Sequence, residues 1–573
     1  MKHIIRLFME SNSTSSKILY IISHIILSSI IFVANFILAD MIGKVTIVII
    51  DGDKQKLINI LSFMLYKCLG LLIIGTIFRY LYFKITNDMV GKIKKNTMFK
   101  ILNMNIEDIE QYGQGDLSSR LMSDVNKVNS IYSVKLKKIT GNIILIVGTL
   151  IVLASINIYV GIIFLLSTIL GIFTEYKLNN SLENISIQIQ KHMSEMSSVL
   201  IENIKGIKII SRFNINEYFF HKYERTLDKL KKANIKKVSI LAKFSSLIGL
   251  IEILNIMGVF FLTLYLTFRG ICTLDEAIEV FYLHMLNQEA LISISKCISE
   301  IQESYAGIHR IKEILDDETE YYKEEDILTK DVDVHNIFEF RNVVFSYKSL
   351  EGANENNILH IDNLVVNKGQ KIGIIGESGS GKSTISKLML GFYKIKTGTL
   401  FVNGIDGNSL NVSTLRDNIA YIPQETYLFE ITIEDNIKMG NNDISLSQVI
   451  EAAKLANAHE FITRLPDGYK TVVSANGKDM ISNGERQRLG IARAILKNAD
   501  IIIFDEFTSA LDEANEAEIL NNIKKIIENK TCIFIAHRLN TLSNTNKIVL
   551  VKDGTISHEM TYEDIMQTSK ILN

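Results

Sequence analysis

Two short stretches of this chain hold residue types that make most sense as parts of one phosphate-handling site. Gly376-Glu377-Ser378-Gly379-Ser380-Gly381-Lys382-Ser383-Thr384 is a complete phosphate-binding loop. Its glycines let backbone N–H groups wrap phosphate oxygens, and a helix starting at its end adds a favourable field. Lys382 is placed to reach the β- and γ-phosphates of a nucleoside triphosphate, and Ser383 to bind Mg²⁺. Further along, Ile501-Ile502-Ile503-Phe504 runs into two acids, Asp505 and Glu506. Asp505 suits Mg²⁺; Glu506 suits a base that orients or deprotonates an attacking water. Carboxylates that end a strand are often merely solvated, but beside a phosphate loop the catalytic reading is the better one.

The elements that must position these groups follow from the local pattern. From about Ile337, short β-branched runs alternate with helical periods, the mark of an α/β domain. Lys371–Ile375 reads as a buried strand entering the loop, and Lys382 opens a helix. The segment 316–334 is acidic and polar without a sustained apolar period, and is expected to link this domain, 335–573, to what precedes it.

What precedes it, 1–315, is of another kind. Apolar runs of about the 20 residues that a spanning helix needs fall at Ile18–Leu38, Leu57–Phe78, Ile139–Ile156, Ile158–Phe173 and Phe244–Phe268. A sixth, around Leu274–Ile294, is interrupted by Asp275, Glu276, Glu279, His284, Gln288 and Glu289. Two long stretches between the pairs are rich in Lys and Arg, whereas the Asn157 turn carries no charge. Both termini and the long stretches are therefore expected in the cytoplasm. The fold class is a six-helix membrane domain joined to an α/β P-loop NTPase domain.

Composition agrees. In 573 residues, 47% are hydrophobic and 22% charged, too apolar for a soluble chain and too charged for a wholly embedded one. A net charge of −1 argues against a nucleic-acid partner. Cys68, Cys272, Cys297 and Cys532 have no ligand spacing, and no cleavable signal peptide is evident.

With these motifs in hand, the chain resembles a half-transporter of the ATP-binding cassette (ABC) family, exporter type, and the resemblance runs through most of its length. Tyr347, in Phe345-Ser346-Tyr347, matches the aromatic that stacks on adenine. Gln424, closing Tyr421-Ile422-Pro423-Gln424, matches the glutamine that senses Mg²⁺ and water. Asp512, in Ser509-Ala510-Leu511-Asp512, belongs to the segment that crosses to a partner cassette, and His537 matches the γ-phosphate histidine. In the first half, Gly115-Asp116-Leu117-Ser118-Ser119-Arg120 with Asp124, and Lys205-Gly206-Ile207 with Phe213 and Glu217, resemble the two cytoplasmic loops. Short docking helices are expected near Ile106–Tyr112 and Asn214–Phe220, and Arg310 resembles the end of the sixth helix.

The family's signature, Leu-Ser-Gly-Gly-Gln, stands here as Ile481-Ser482-Asn483-Gly484-Glu485. Ser482 and Gly484 remain to approach the partner's γ-phosphate, but Asn483 adds a side chain there. Val473-Ser474-Ala475-Asn476-Gly477 lacks the charges usual for the neighbouring loop. The resemblance implies a dimer, and these departures leave a homodimer and a heterodimer both open. It also implies ATP and Mg²⁺, a location in a bacterial-type cytoplasmic membrane, and contact with membrane lipid.

Cargo is the open end. Lys67, Glu252, Glu279, His284 and Glu289 are candidates to line a cavity, since ionisable groups in spans usually face one; sitting near a membrane surface or pairing to stabilise the bundle is the equal alternative. A mixed-charge cavity suits a peptide or small amphipathic compound. The stretch before the first span is too short for the cysteine-protease domain of many bacterial peptide exporters, so any leader is expected to be removed elsewhere. Multidrug or lipid export, import through the same fold, and an ATP-gated channel or sensor are the alternatives.

Overall fold

The protein is described from a computed structural model, which covers residues 14–317, 335–347, 358–473, 481–508, 513–536 and 539–565. The chain divides into two compact units, 1–101 with 115–316, and 102–114 with 317–573. Of the expected linker, only Asp316 and Asp317 lie within the described residues.

The first unit is built on long helices: α1 (Thr14–Asp51), α2 (Lys54–Leu102), α4 (Gln114–Ile156), α5 (Ile158–Lys205), α7 (Asn216–Phe268) and α8 (Leu274–Asp316). The short helix α6 (Ile207–Phe213) completes this unit, while α3 (Ile106–Tyr112), between α2 and α4 in the chain, belongs to the second. Helices α1, α2, α4 and α7 are long and apolar enough to cross a membrane, and α5 opens with a shorter apolar stretch, Ile158–Thr174. Helix α8 is the weak one, as its interrupting polar residues foretold. Asn157 is extended (φ −154°) and its side chain accepts from the Tyr159 N–H, ending α4 and capping α5 in one residue. Small residues let these helices close up: a Cβ on Gly148 would lie 2.5 Å from the Phe32 ring.

Some polar groups inside this unit are paired across helices, whereas both ring nitrogens of His284 and the hydroxyls of Thr97 and Thr149 are buried with no hydrogen-bond partner among the described residues. Helix α4 carries two π-helical segments, Arg120–Asp124 and Ile131–Lys135. The second presents the Tyr132 carbonyl, which accepts from the hydroxyls of Tyr20 on α1 and Tyr82 on α2. At the first, the fully buried Asp124 accepts two bonds from Arg310, each 2.9 Å, and one of 2.9 Å from Lys127. Arg120 bridges Asp116 and Glu313 at 2.8 and 2.9 Å. One docking helix differs from expectation. Asn214 adopts the left-handed conformation (φ 58°) and stops α6 at Phe213, so residues 216–220 open the long helix α7 instead.

The second unit is an α/β domain around a ten-stranded sheet: β1 (Asn336–Phe345), β2 (Leu359–Asn367), β3 (Lys371–Gly376), β4 (Thr397–Val402), β5 (Ile405–Asp406), β6 (Ile419–Ile422), β7 (Ile501–Asp505), β8 (Thr531–Ile535), β9 (Lys547–Lys552) and β10 (Thr555–Met560). The spatial order is β5-β4-β1-β2-β10-β9-β3-β8-β7-β6, and the run from β9 to β6 is parallel. Strands β7 and β8 are buried along their whole length, as a parallel centre requires. Alternate residues serve two cores: Ile501, Ile503, Ile533 and Ile535 on one face, and Ile502, Phe504, Cys532 and Phe534 on the other. Helix α3 packs into this unit. Its Glu110 accepts a hydrogen bond from the Tyr393 hydroxyl, and Tyr112 donates to Asp317 at 2.7 Å.

Candidate functional site

Strand β3 delivers the phosphate loop, and helix α9 (Lys382–Met389) leaves it. The turn between them depends on glycine. Gly379 and Gly381 have φ of 82° and 102°, where a side chain is strained. Gly376 has no room: a Cβ there would lie 2.2 Å from the Val551 carbonyl oxygen and 2.7 Å from Ser380 Oγ. Lys382 is buried, and its Nζ donates to the carbonyls of Gly376 and Glu377 at 2.8 and 2.7 Å. Burial holds the Lys382 ammonium below its ordinary pKa, while Glu506 and Asp505 pull the other way. Ser380 Oγ is buried without a hydrogen-bond partner. Thr384 lies in the first turn of α9, and the Tyr347 hydroxyl lies 3.1 Å from its Oγ1.

Strand β7 brings the acids up beside this loop, because only β8 separates it from β3 in the sheet. Asp505 is buried, and burial, then the neighbouring Glu506 carboxylate, raises its pKa above the ordinary carboxylate value. Two hydroxyls hold it: Tyr421 donates at 3.1 Å and Ser386, on α9, at 3.4 Å. Glu506 has φ 45°, a left-handed backbone that costs a non-glycine residue about 1–3 kcal/mol and clusters at functional sites. Its N–H donates to the Ile535 carbonyl at 2.9 Å, which ties the bend to β8. Gln424 Nε2 donates to the Glu506 carboxylate at 2.7 Å. A loop, an acid at a tight bend and an amide on that acid thus converge within one unit.

The residues present fit a Mg²⁺-nucleotide. The orphaned Ser380 hydroxyl and the glycine cradle offer donors and space to phosphate, and the buried Asp505 carboxylate offers an oxygen to a hard cation. No cluster of three His, Cys, Asp or Glu capable of holding a metal occurs among the described residues. That is expected of Mg²⁺ at a phosphate site, where one or two protein oxygens, substrate phosphates and water complete the shell.

Ser482 caps helix α14 (Asn483–Lys497), the fifth α-helix after α9 among the described residues; between them lie α10 (Val412–Asp417), α11 (Ile433–Lys438), α12 (Leu446–Leu455) and α13 (His459–Arg464). Glu485 closes a capping box, its carboxylate 2.8 Å from both the Ser482 N and Oγ. Asn483 is exposed, has helical backbone and takes no left-handed φ, so its side chain imposes no strain locally. Gly484 is half-buried in the same turn. Asp512, His537 and the segment 474–480 lie outside the described residues.

Sequence reasoning passed over Tyr421 and Ser386, which hold Asp505, and the Tyr393–Glu110 pair. The alternation of β6 could have flagged Tyr421; nothing in the sequence pairs positions as far apart as 110 and 393. One cavity in the first unit has a volume of about 1050 Å³, and the candidates Lys67, Glu279, His284 and Glu289 are not among the described residues that wall it. His284 is instead buried with its ring edge-on to Phe164, and Lys67 lies over the Phe63 ring. The Glu252 side chain lies outside the described residues.

Comparison with known proteins comes in the same two pieces. Residues 17–290 match the model of the ABC transporter transmembrane region, and residues 359–509 that of the ABC transporter. The ATP-dependent lipid A-core flippase of Legionella pneumophila (strain Paris) is 30% identical over 479 residues, 83% of this chain and 80% of that one. The flippase of the same name from Acinetobacter baylyi is 28% identical over 524 residues, 90% and 88% of the two chains. Among solved structures, a bacterial Atm1-family ABC exporter with ATP bound aligns at a TM-score of 0.80 and 21% identity, covering 97% of each chain.

Proposed function

Because this chain belongs to the ATP-binding cassette transporters, as a half-transporter of the exporter type, we propose that it drives an amphipathic compound out across the cytoplasmic membrane as one half of a dimer. It is a multi-pass membrane ATPase with its nucleotide-binding domain in the cytoplasm, and its hydrolysis is coupled to transport. The observation that carries the site assignment is Glu506, held at the end of β7 with Gln424 2.7 Å from its carboxylate.

Placement supports the following roles for the described residues, and the family motif alone supports those of His537 and Asp512. Tyr347 stacks on adenine. The backbone of Gly376, Ser378, Gly379, Ser380 and Gly381 cradles phosphate at the start of α9, with Thr384 in its first turn. Lys382 neutralises the β- and γ-phosphates. Ser383, Gln424 and Asp505 would hold Mg²⁺, which would supply charge neutralisation at the phosphates. Glu506 orients the attacking water and takes its proton, and Gln424 fixes the carboxylate that does so. His537 contacts the γ-phosphate. Ser482, Gly484 and Asp512 face the nucleotide of the other half, which is a second copy or a different half-transporter. ATP shifts the population toward closed cassettes only if it binds that form better, and the α3 contacts through Glu110 and Tyr112 give the cassette a grip on the first cytoplasmic loop.

Among cargoes, lipid gains on peptide from one finding: the two relatives described above are named as lipid A-core flippases. The test of the reading is purified protein in nanodiscs. Mg²⁺-dependent ATP hydrolysis that Glu506→Gln abolishes while ATP still binds supports it; unchanged steady-state hydrolysis in that variant refutes the assignment of the base.

A further inference from the structure

Helix α14 grips the segment that follows β6 along one of its faces. Gln487, Gly490 and Arg493 recur at three-residue intervals and so share a side of the helix. Each meets a successive part of the stretch from Gln424 to Asn436. Gln487 Nε2 donates to the Gln424 carbonyl at 3.5 Å. Gly490 lies so close to Thr426 that a Cβ there would be 2.4 Å from its Oγ1. Arg493 donates through Nη1 to the Tyr427 carbonyl at 2.6 Å, and through Nε and Nη2 to the Asn436 carbonyl and Oδ1 at 2.6 and 2.8 Å. Burial lowers the Arg493 pKa to about 10, which still leaves it charged at neutral pH.

Gln487 reaches further than its neighbours. It is 2% exposed, and the same Nε2 also lies 3.5 Å from the Glu506 carbonyl. An amide nitrogen carries two hydrogens, one for each carbonyl. The loop after β6 and the bend after β7 are therefore joined twice: Gln424 Nε2 donates to the Glu506 carboxylate at 2.7 Å, and Gln487 Nε2 ties the two backbones. A contact of 3.5 Å is about 0.6 Å longer than the usual N–H···O distance. A shift of α14 by that much decides whether both bonds form in full. Ser482, whose capping box fixes the first turn of the same helix, stands only five residues before Gln487.

We propose that Gln487 is a positioning residue for hydrolysis: it sets the two backbones that aim Gln424 at the Glu506 carboxylate, so that this contact follows the place of the signature helix α14. The proposal deepens the reading of Glu506 as the base and rests on it. Under that reading Ser482 faces the nucleotide of the other half, and a shift of α14 there reaches the water-orienting pair with no other element between. A side chain that only filled the core beneath α14 would cost stability when changed. One that sets this pair costs turnover.

Steady-state hydrolysis and equilibrium binding of AMP-PNP are measured with Mg²⁺ on the full-length dimer in nanodiscs. Gln487→Met keeps the length of the side chain and removes its N–H groups. It should lower kcat about tenfold, the scale of two neutral hydrogen bonds, with the KM for ATP, AMP-PNP affinity and thermal midpoint near those of the parent. In a Gln424→Ala background the same change should cost under about threefold, because the contact it sets is gone. Gly490→Ala pushes α14 off Thr426 with Gln487 intact, and should also lower kcat. Adding Thr426→Ala makes room and should restore it; the Thr426 hydroxyl forms no hydrogen bond among the described residues, so none is lost. An unchanged kcat in Gln487→Met, an equal fall in the Gln424→Ala background, or AMP-PNP affinity falling in step with kcat overturns the proposal. Where Gln487→Met fails to fold, the other pair decides: a fall in Gly490→Ala that Thr426→Ala restores upholds the proposal, and no fall or no restoration overturns it. Glu506→Gln is measured alongside. If it leaves hydrolysis unchanged, the base reading fails; if it abolishes hydrolysis while Gln487→Met does not slow it, only the positioning role fails.

Discussion

In the cassette the side chains that matter converge on one reaction, and each has a chemical reason to be the residue it is. Asp505 and Glu506 end one strand, the phosphate loop ends another, and Gln424 reaches across to the Glu506 carboxylate. In the membrane unit the buried charges converge on a joint: Asp124 fastens the start of α4 to the end of α8 through Arg310. The first arrangement stores strain, in the left-handed Glu506, for turnover. The second neutralises charge for architecture. Substitutions in the two should therefore fail differently, the cassette losing rate with its fold intact and the membrane unit losing fold before rate.

The largest expected effect is at Glu506. Glu506→Gln should lower steady-state hydrolysis by about 10²-fold or more, the scale of general-base catalysis, with an unchanged melting midpoint. A stability loss there would break the comparison. Arg310→Ala should do the reverse. It removes the bidentate partner of a fully buried carboxylate, for which about 3 kcal/mol is the usual scale, so the thermal midpoint should fall while ATP binding by the cassette persists. Tyr421→Phe should be milder: one hydrogen bond to Asp505 is worth about 1 kcal/mol, read as a less than tenfold fall in kcat and a higher Mg²⁺ requirement. Smallest is Asn483→Gly. Asn483 is exposed in an unstrained first turn, so restoring the family's glycine should change hydrolysis little and cost α14 under about 1 kcal/mol of helix stability. A large gain in activity would instead make Asn483 the reason for an off-consensus signature.

The contrast also explains what could be read beforehand. The phosphate loop was legible because its chemistry needs glycine, lysine and serine at fixed spacing next to a strand and a helix. The spans of α1, α2, α4 and α7 were legible because hydrocarbon demands only apolarity over a set length. Helix α8 was nearly lost, since its buried His284 and Asn287 dilute the apolar signal. The break at Asn214 was missed by a few residues because a left-handed cap can fall at any nearby asparagine. The cavity walls were not legible because an ionisable residue in a span advertises that it must be accommodated, not where. Lys127 and Arg310, which do line it, lie beyond the apolar runs, and only the pairing of helices brings them together at Asp124.

The central claim is that hydrolysis at Glu506 drives export. Its most direct test is ATP-dependent uptake into inside-out vesicles carrying the full-length protein, alone or with its second half, or the Glu506→Gln variant. The probe is a labelled amphipathic compound that the purified protein binds. Uptake against a gradient that scales with ATP hydrolysed, and that vanishes in the variant, is the predicted result. Movement only down a gradient, persisting in Glu506→Gln with ATP bound, would show a gated channel and contradict the account.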